Sequence, residues 1–171
     1  VVRTTNDLFV AAGAAFDALG ERSSVGDLTG EGLLTNGVIA VTATLDSGTN
    51  GAPAGAEMTI QNLSLAAGAT FSCPWSTNAL GEVVNDTVTV SGNLAAEGPG
   101  WIDFNRDSSE PVPVPFEAEI MSYGTFSGSF TGWKAVNTGV PEGQAVTTIV
   151  TAKEGVVTVR LMYGGTLILL R

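Results

Sequence analysis

Asp103, Asn105, Asp107 and Ser109 place oxygen side chains at alternate positions. In an irregular loop, that spacing lets successive ligands curl round a hard cation, as at the start of a calcium loop. Three features weaken the match. Ser108 stands where such a loop carries its turn glycine, Arg106 adds a positive charge, and the twelfth loop position is Val114 instead of a bidentate Glu. The segment therefore reads first as a polar turn with Asx hydrogen bonds, with calcium as the alternative. No other cofactor is expected.

Other chemistries lose their residues outright. Histidine is absent, which removes Ser-His-Asp and Cys-His nucleophilic catalysis, HExxH metalloproteases and nearly all catalytic zinc sites. There is no GxxxxGK[ST] stretch to cradle phosphates, and no GxGxxG follows a strand and opens a helix. What survives is carboxylate-pair chemistry, as in glycosidases. The single cysteine, Cys73, sits in Phe71-Ser72-Cys73-Pro74-Trp75 and reads as a buried, inert thiol. The net charge is −10, and the 7 Lys and Arg residues are scattered. Nucleic acid is therefore not expected as a partner, since phosphate binding runs on clustered cations. No apolar run reaches membrane-spanning length. The chain opens Val1-Val2-Arg3, without an initiator Met or a signal-type apolar run, so prior trimming is expected.

The elements that must position these residues are mostly strands. Gly, Thr, Ser, Val and Asn are plentiful, which suits short strands and tight turns. One helix is predicted over residues 5–20, capped by Thr5 or Asn6 and stopped at Gly20. Phe9, Ala12, Phe16 and Leu19 recur at helical spacing, with Leu8 and Ala15 widening the stripe. Alternation predicts strands over 38–46, from Met58 to Leu65 with a bulge at Gln61-Asn62, over 84–90, and over 116–120. Residues 144–152 and 155–163 read as a hairpin turning at Lys153-Glu154-Gly155. Gly124 to Trp133 alternates glycine and aromatic residues on one face with hydroxyls on the other. The final run, Thr166-Leu167-Ile168-Leu169-Leu170, is apolar on both faces and so demands cover.

No long-period repeat is visible. These elements predict a mostly β chain: an antiparallel β-sandwich or jelly-roll-like domain over residues 31–171, preceded by a short N-terminal helix or arm over residues 1–30. Two local resemblances bear on this. Gly100-Trp101-Ile102-Asp103-Phe104-Asn105 resembles a short stretch of secreted β-sandwich modules with a WIDFN-x-DG core. Leu63 to Phe71 is similar to the strand–turn–strand of many extracellular immunoglobulin-like repeats.

The expected function is non-enzymatic: a structural protein of a virion or particle surface, such as a phage capsid decoration or cement protein or a fibre component. It would act through contacts with itself, as a homo-oligomer, or with other structural proteins of the same particle. The expected assembly contacts are Leu8, Phe9, Ala12, Phe16 and Leu19 on the helix face, and Leu167 and Leu169 on the last strand. An alternative is a secreted module binding carbohydrate or calcium at a cell surface, with Trp75, Trp101, Trp133, Tyr123 and Tyr163 as candidate sugar platforms. A carboxylate-dependent hydrolase ranks last.

Overall fold

The structure is a computed structural model that describes residues 7–48, 54–80, 82–104, 114–139 and 146–164. Its strands come in a recurring order, short and then long. The first turn holds β1 (Leu8–Val10), β2 (Ala15–Asp17) and β3 (Arg22–Val25). The next two are β4 (Leu28–Gly30) with β5 (Leu33–Val41), and β6 (Thr44–Asp46) with β7 (Glu57–Leu65). In the fourth, β8 (Thr70–Ser72) is separated from its long strand by a small hairpin, β9 (Trp75–Thr77) and β10 (Val83–Asn85). That long strand is β11 (Thr87–Ala96), and β12 (Trp101–Asp103) leads to β13 (Phe116–Gly128) in the same way. Then come β14 (Lys134–Val136), β15 (Val146–Lys153) and β16 (Val156–Tyr163).

Each short strand pairs in parallel with the short strand one turn before and after it, giving the sheet β1-β4-β6-β8-β12-β14. The long strands do likewise, from β2 and β3 through β5, β7 and β11 to β13. Two parallel sheets visited alternately by one chain make a coil, the architecture of a parallel β-solenoid. The antiparallel pair β16 and β15 continues the long sheet beyond β13.

Identical register from turn to turn stacks like on like. Leu8, Leu28, Leu45, Phe71, Ile102 and Ala135 form one column. Phe16, Leu34, Ile60, Val90 and Tyr123 form another, and Val25, Val41, Leu65, Ala96 and Gly128 a third. The middle members of all three are buried and make one continuous core. In the third column the side chains shrink to nothing at Gly128. Aromatics fill the region: Phe126 stacks on Phe130 at 5.4 Å, and Trp133 meets Phe130 edge-on at 5.1 Å.

The long strands bend. Their register slips between Leu34 and Val38 in β5, and between Val90 and Leu94 in β11. Side-chain amides satisfy the backbone there. Asn62 Nδ2 donates to the Gly37 carbonyl at 3.0 Å, and its Oδ1 accepts from the Asn93 amide at 3.0 Å. Asn93 Oδ1 in turn accepts from Thr125 Oγ1 at 3.1 Å. A Cβ on Gly92 would lie 2.4 Å from Asn62 Oδ1, so this ladder requires glycine at that position.

Two expectations are corrected. Among the described residues, the predicted N-terminal helix over residues 5–20 is not formed: Leu8–Val10 and Ala15–Asp17 are strands, joined by a turn with Gly13 at φ 76°. Alanine and glycine at residues 11–14 gave the helical reading little apolar surface to bury, and Gly13 opposes a helix interior. As edge strands on β4 and β5, the same residues satisfy their backbone against the second turn of the coil. The antiparallel sandwich or jelly roll is also overturned, because the sheets are mostly parallel. Alternation identified the inward side chains but not the pairing partners. The turns between the predicted strands before residue 144 mostly carry the chain into the other sheet, whereas the predicted hairpin around Lys153-Glu154-Gly155 is formed. Leu63 to Phe71 illustrates this: β7 and β8 lie there, but in different sheets and unpaired.

Candidate functional site

The coil has two kinds of corner. Turns from a long strand into the next short one are brief: 42–43, 66–69, 97–100 and 129–133. The longer connections run from a short strand to the long strand that follows it in the chain: 47–56, 73–86, 104–115 and 137–145. In solenoids, insertions gathered on one side commonly mark the functional face.

That corner gathers carboxylates from distant parts of the chain. Asp46 ends β6, and Asp86 immediately precedes β11. Asp86 Oδ2 and Asp46 Oδ1 lie 2.7 Å and 3.6 Å from the point where a Cβ on Gly48 would sit. Asp86 is enclosed, and its Oδ1 accepts from the amides of Gly55 at 2.7 Å and Ala56 at 2.9 Å. Asp46 is half-buried and accepts from the Gly48 amide at 3.0 Å. Burial pushes both carboxyls above their ordinary range, and the charges of Asp46 and Glu31 add to the shift of Asp86. Ser47, next to Asp46 in the chain, is fully enclosed, and its Oγ makes no hydrogen bond among the described residues. Burial, and then the charge of Asp86, push the enclosed thiol of Cys73 far above its ordinary range, so it is held neutral.

These acids hold backbone. The opposite corner repeats the device: Asp27 Oδ1 accepts from the Thr44 amide at 2.9 Å, and Asp7 Oδ1 from the Asp27 amide at 3.2 Å. On the outer face of the long sheet, Glu97 is tied to Ser64 and, at 2.8 Å, to Arg22. Those bonds hold its carboxyl below the ordinary range.

The residues singled out from sequence are dispersed. Asp103 ends β12, half-buried, and its Oδ1 accepts from Asn137 Nδ2 at 2.9 Å. Asn105, Asp107 and Ser109 lie outside the described residues, as do Leu167 and Leu169. Among the described residues, no three His, Cys, Asp or Glu side chains gather as a metal site. Leu8 and Phe16 pack partly on the core, whereas Phe9 is 58% exposed, Leu19 is 77% exposed, and Ala12 is exposed. The helical stripe is thus split between inside and outside. Of the aromatic platforms, Trp75 and Trp133 are buried, Tyr123 packs partly on the core, and Trp101 and Tyr163 are exposed.

Two features were missed in the sequence. Asp46 and Asp86 are far apart in the chain, and nothing in either neighbourhood signals the other. The long edge of β15 was legible as a hairpin strand, but its place at the border of a sheet was not. Scans of protein-family models, of curated proteins and of solved structures each found no match.

Proposed function

We propose that this chain is a non-enzymatic structural element: a length of β-solenoid that builds a virion or particle surface by joining copies of itself or other structural proteins. One observation carries the reading. Among the described residues, the long sheet ends on β2 and β3 at one side and on β15 at the other, each paired along one edge only. A strand edge is a row of donors and acceptors ready to template another strand, so a stack with such borders is suited to continuation by a neighbour. The chemistry of the acids supports the same reading. Asp46 and Asp86 are close enough to act as a pair, but both accept backbone amides and Asp86 is closed to solvent, whereas a hydrolytic pair must face a substrate cleft. The test is particle mass against concentration, by analytical ultracentrifugation or light scattering. Self-association is the expected result. A chain that stays monomeric, and that pulls no structural component from a purified particle of its source, would sink the proposal.

A second reading, a surface module that binds carbohydrate, rests on Trp101. This residue is 41% exposed, in register with Thr70 on one neighbouring strand and Lys134 on the other. A flat aromatic flanked by hydrogen-bonding side chains suits a sugar face. Affinity electrophoresis in neutral polysaccharides, with Trp101→Ala as control, tests it: unretarded migration of the wild-type chain removes the reading.

A further inference from the structure

We infer that β15 is the seam along which two copies of this chain join, edge to edge and antiparallel. This rests on the assembly reading above and names its contact surface. All eight residues of β15 pair with β16 on one side, and among the described residues no strand lies on the other. The remaining border strands, β1, β2, β3, β9, β10 and β14, are each three or four residues long. Short edges are one of the ways proteins discourage unwanted pairing, along with proline, bulges and charge. β15 uses almost none of these. Val146 to Thr151 are all β-branched, the strand has no proline or glycine, and its one charge is Lys153 at the end. Its register with β16 runs unbroken, without a bulge. Burial alternates: Val146, Thr148, Val150 and Ala152 lean on the core side, while Thr147, Ile149, Thr151 and Lys153 face solvent, with Ile149 41% exposed.

The strand is compatible with itself. A two-fold axis through Val150 places Val150 opposite Val150 of the second copy, Ile149 opposite its Thr151, and Thr147 opposite its Lys153. Every such pair joins residues of the same sheet face, as an antiparallel ladder requires. The two Lys153 side chains fall at opposite ends, so no like charges meet in a molecule whose net charge is −10. The two long sheets become one continuous sheet across the seam. This is an isologous contact that closes at two copies. An edge of this length buries less than a standard interface, so association on the order of micromolar is expected.

Two measurements test it. Sedimentation of the wild-type chain should show a monomer–dimer equilibrium. In the double variant Ile149→Lys/Thr151→Lys, the two new charges would face each other across the seam, twice over. Its dissociation constant should rise at least about tenfold, with the circular dichroism unchanged because both positions are exposed. Hydrogen exchange keeps the inference falsifiable should that variant fail to fold: amides of residues 146–153 in the wild type should exchange more slowly at high than at low protein concentration. A wild-type chain that stays monomeric overturns the inference. If the wild type self-associates and the double variant does so equally well, the seam is overturned while the assembly reading stands. Exchange that is independent of concentration at the amides of residues 146–153 not already bonded to β16 also overturns it.

Discussion

In the coil, from β4 to β13, a strand finds its hydrogen-bond partner a full turn away along the chain. In the β15–β16 hairpin, the partner lies just across Glu154 and Gly155. The burial differs as sharply. Coil columns such as Leu45, Phe71 and Ile102 are fully enclosed, with a similar side chain above and below each. The hairpin's outer strand has one half-covered face and one exposed face. Stacked turns leave little room for change, because each side chain and each backbone bend is fitted against its counterpart one turn away. The hairpin's register is set locally, so its solvent face is left free to vary or to meet a partner.

The sharpest way to probe this contrast is to empty a column. Phe71→Ala should cost about 3–5 kcal/mol of unfolding free energy in urea, because the enclosed cavity has stacked neighbours on both sides that cannot close over it. A loss below about 1 kcal/mol would mean that the stack collapses freely and the contrast is false.

Glycine offers a matched pair. A Cβ on Gly128, at φ 93°, would lie 2.0 Å from the Ala96 carbonyl oxygen of the preceding turn, so Gly128→Ala should cost about 3 kcal/mol or more. Gly155, in the hairpin turn at φ 85°, would bring a Cβ only to 3.3 Å from the Tyr123 carbonyl oxygen. Gly155→Ala should therefore cost only the left-handed conformation itself, about 1–2 kcal/mol. Equal losses in thermal melts would argue against close turn-to-turn fitting.

Acidification distinguishes the enclosed acids from the exposed ones. The raised pKa of Asp86 means that the native state takes up a proton more readily than the unfolded chain. The stability of the wild type relative to Asp86→Asn should therefore rise as pH falls from neutral through the raised native value towards the ordinary 3.8, and level off below it. Urea midpoints of both proteins across that window test the sign. A difference that stays flat would place Asp86 in contact with water.

The smallest effect belongs to the hairpin's outer face. Glu117 and Arg160 form a two-pronged pair at 2.7–3.0 Å between β13 and β16, but both are solvent-exposed. Glu117→Gln should leave the unfolding midpoint at its wild-type value, since water and salt screen such pairs. A clear drop would show that the hairpin is as tightly fitted as the coil.

Legibility in the sequence follows the same division. The hairpin could be read because all its information is local: alternating β-branched residues on either side of Lys153-Glu154-Gly155. The slip at Gln61-Asn62 was also visible, because it reverses the hydrophobic phase within one strand. The coil left only a faint trace, Asn62-Leu63 and Asn93-Leu94 at equivalent bends. Its period is irregular, since successive members of the column Leu8, Leu28, Leu45, Phe71, Ile102, Ala135 are 20, 17, 26, 31 and 33 residues apart. The Asp46–Asp86 contact was illegible for the same reason: it exists only because two turns of the coil bring a strand end and a strand start to one corner.

By itself, the sequence determined that this chain is mostly β, that Cys73 lies in an apolar neighbourhood, and that histidine chemistry is closed to it. These follow from residue type and from the two-residue period of a strand, which act over a few positions. The tertiary structure alone decided that the sheets run mostly parallel, that Leu8–Val10 and Ala15–Asp17 are strands instead of parts of a helix, and that Asp46 and Asp86 hold backbone. It also decided that, among the described residues, one long strand stands at the border of a sheet. Alternation tells each strand which side to bury, but the choice of partner is made by stacking energy between turns far apart in the chain, and no local pattern records it.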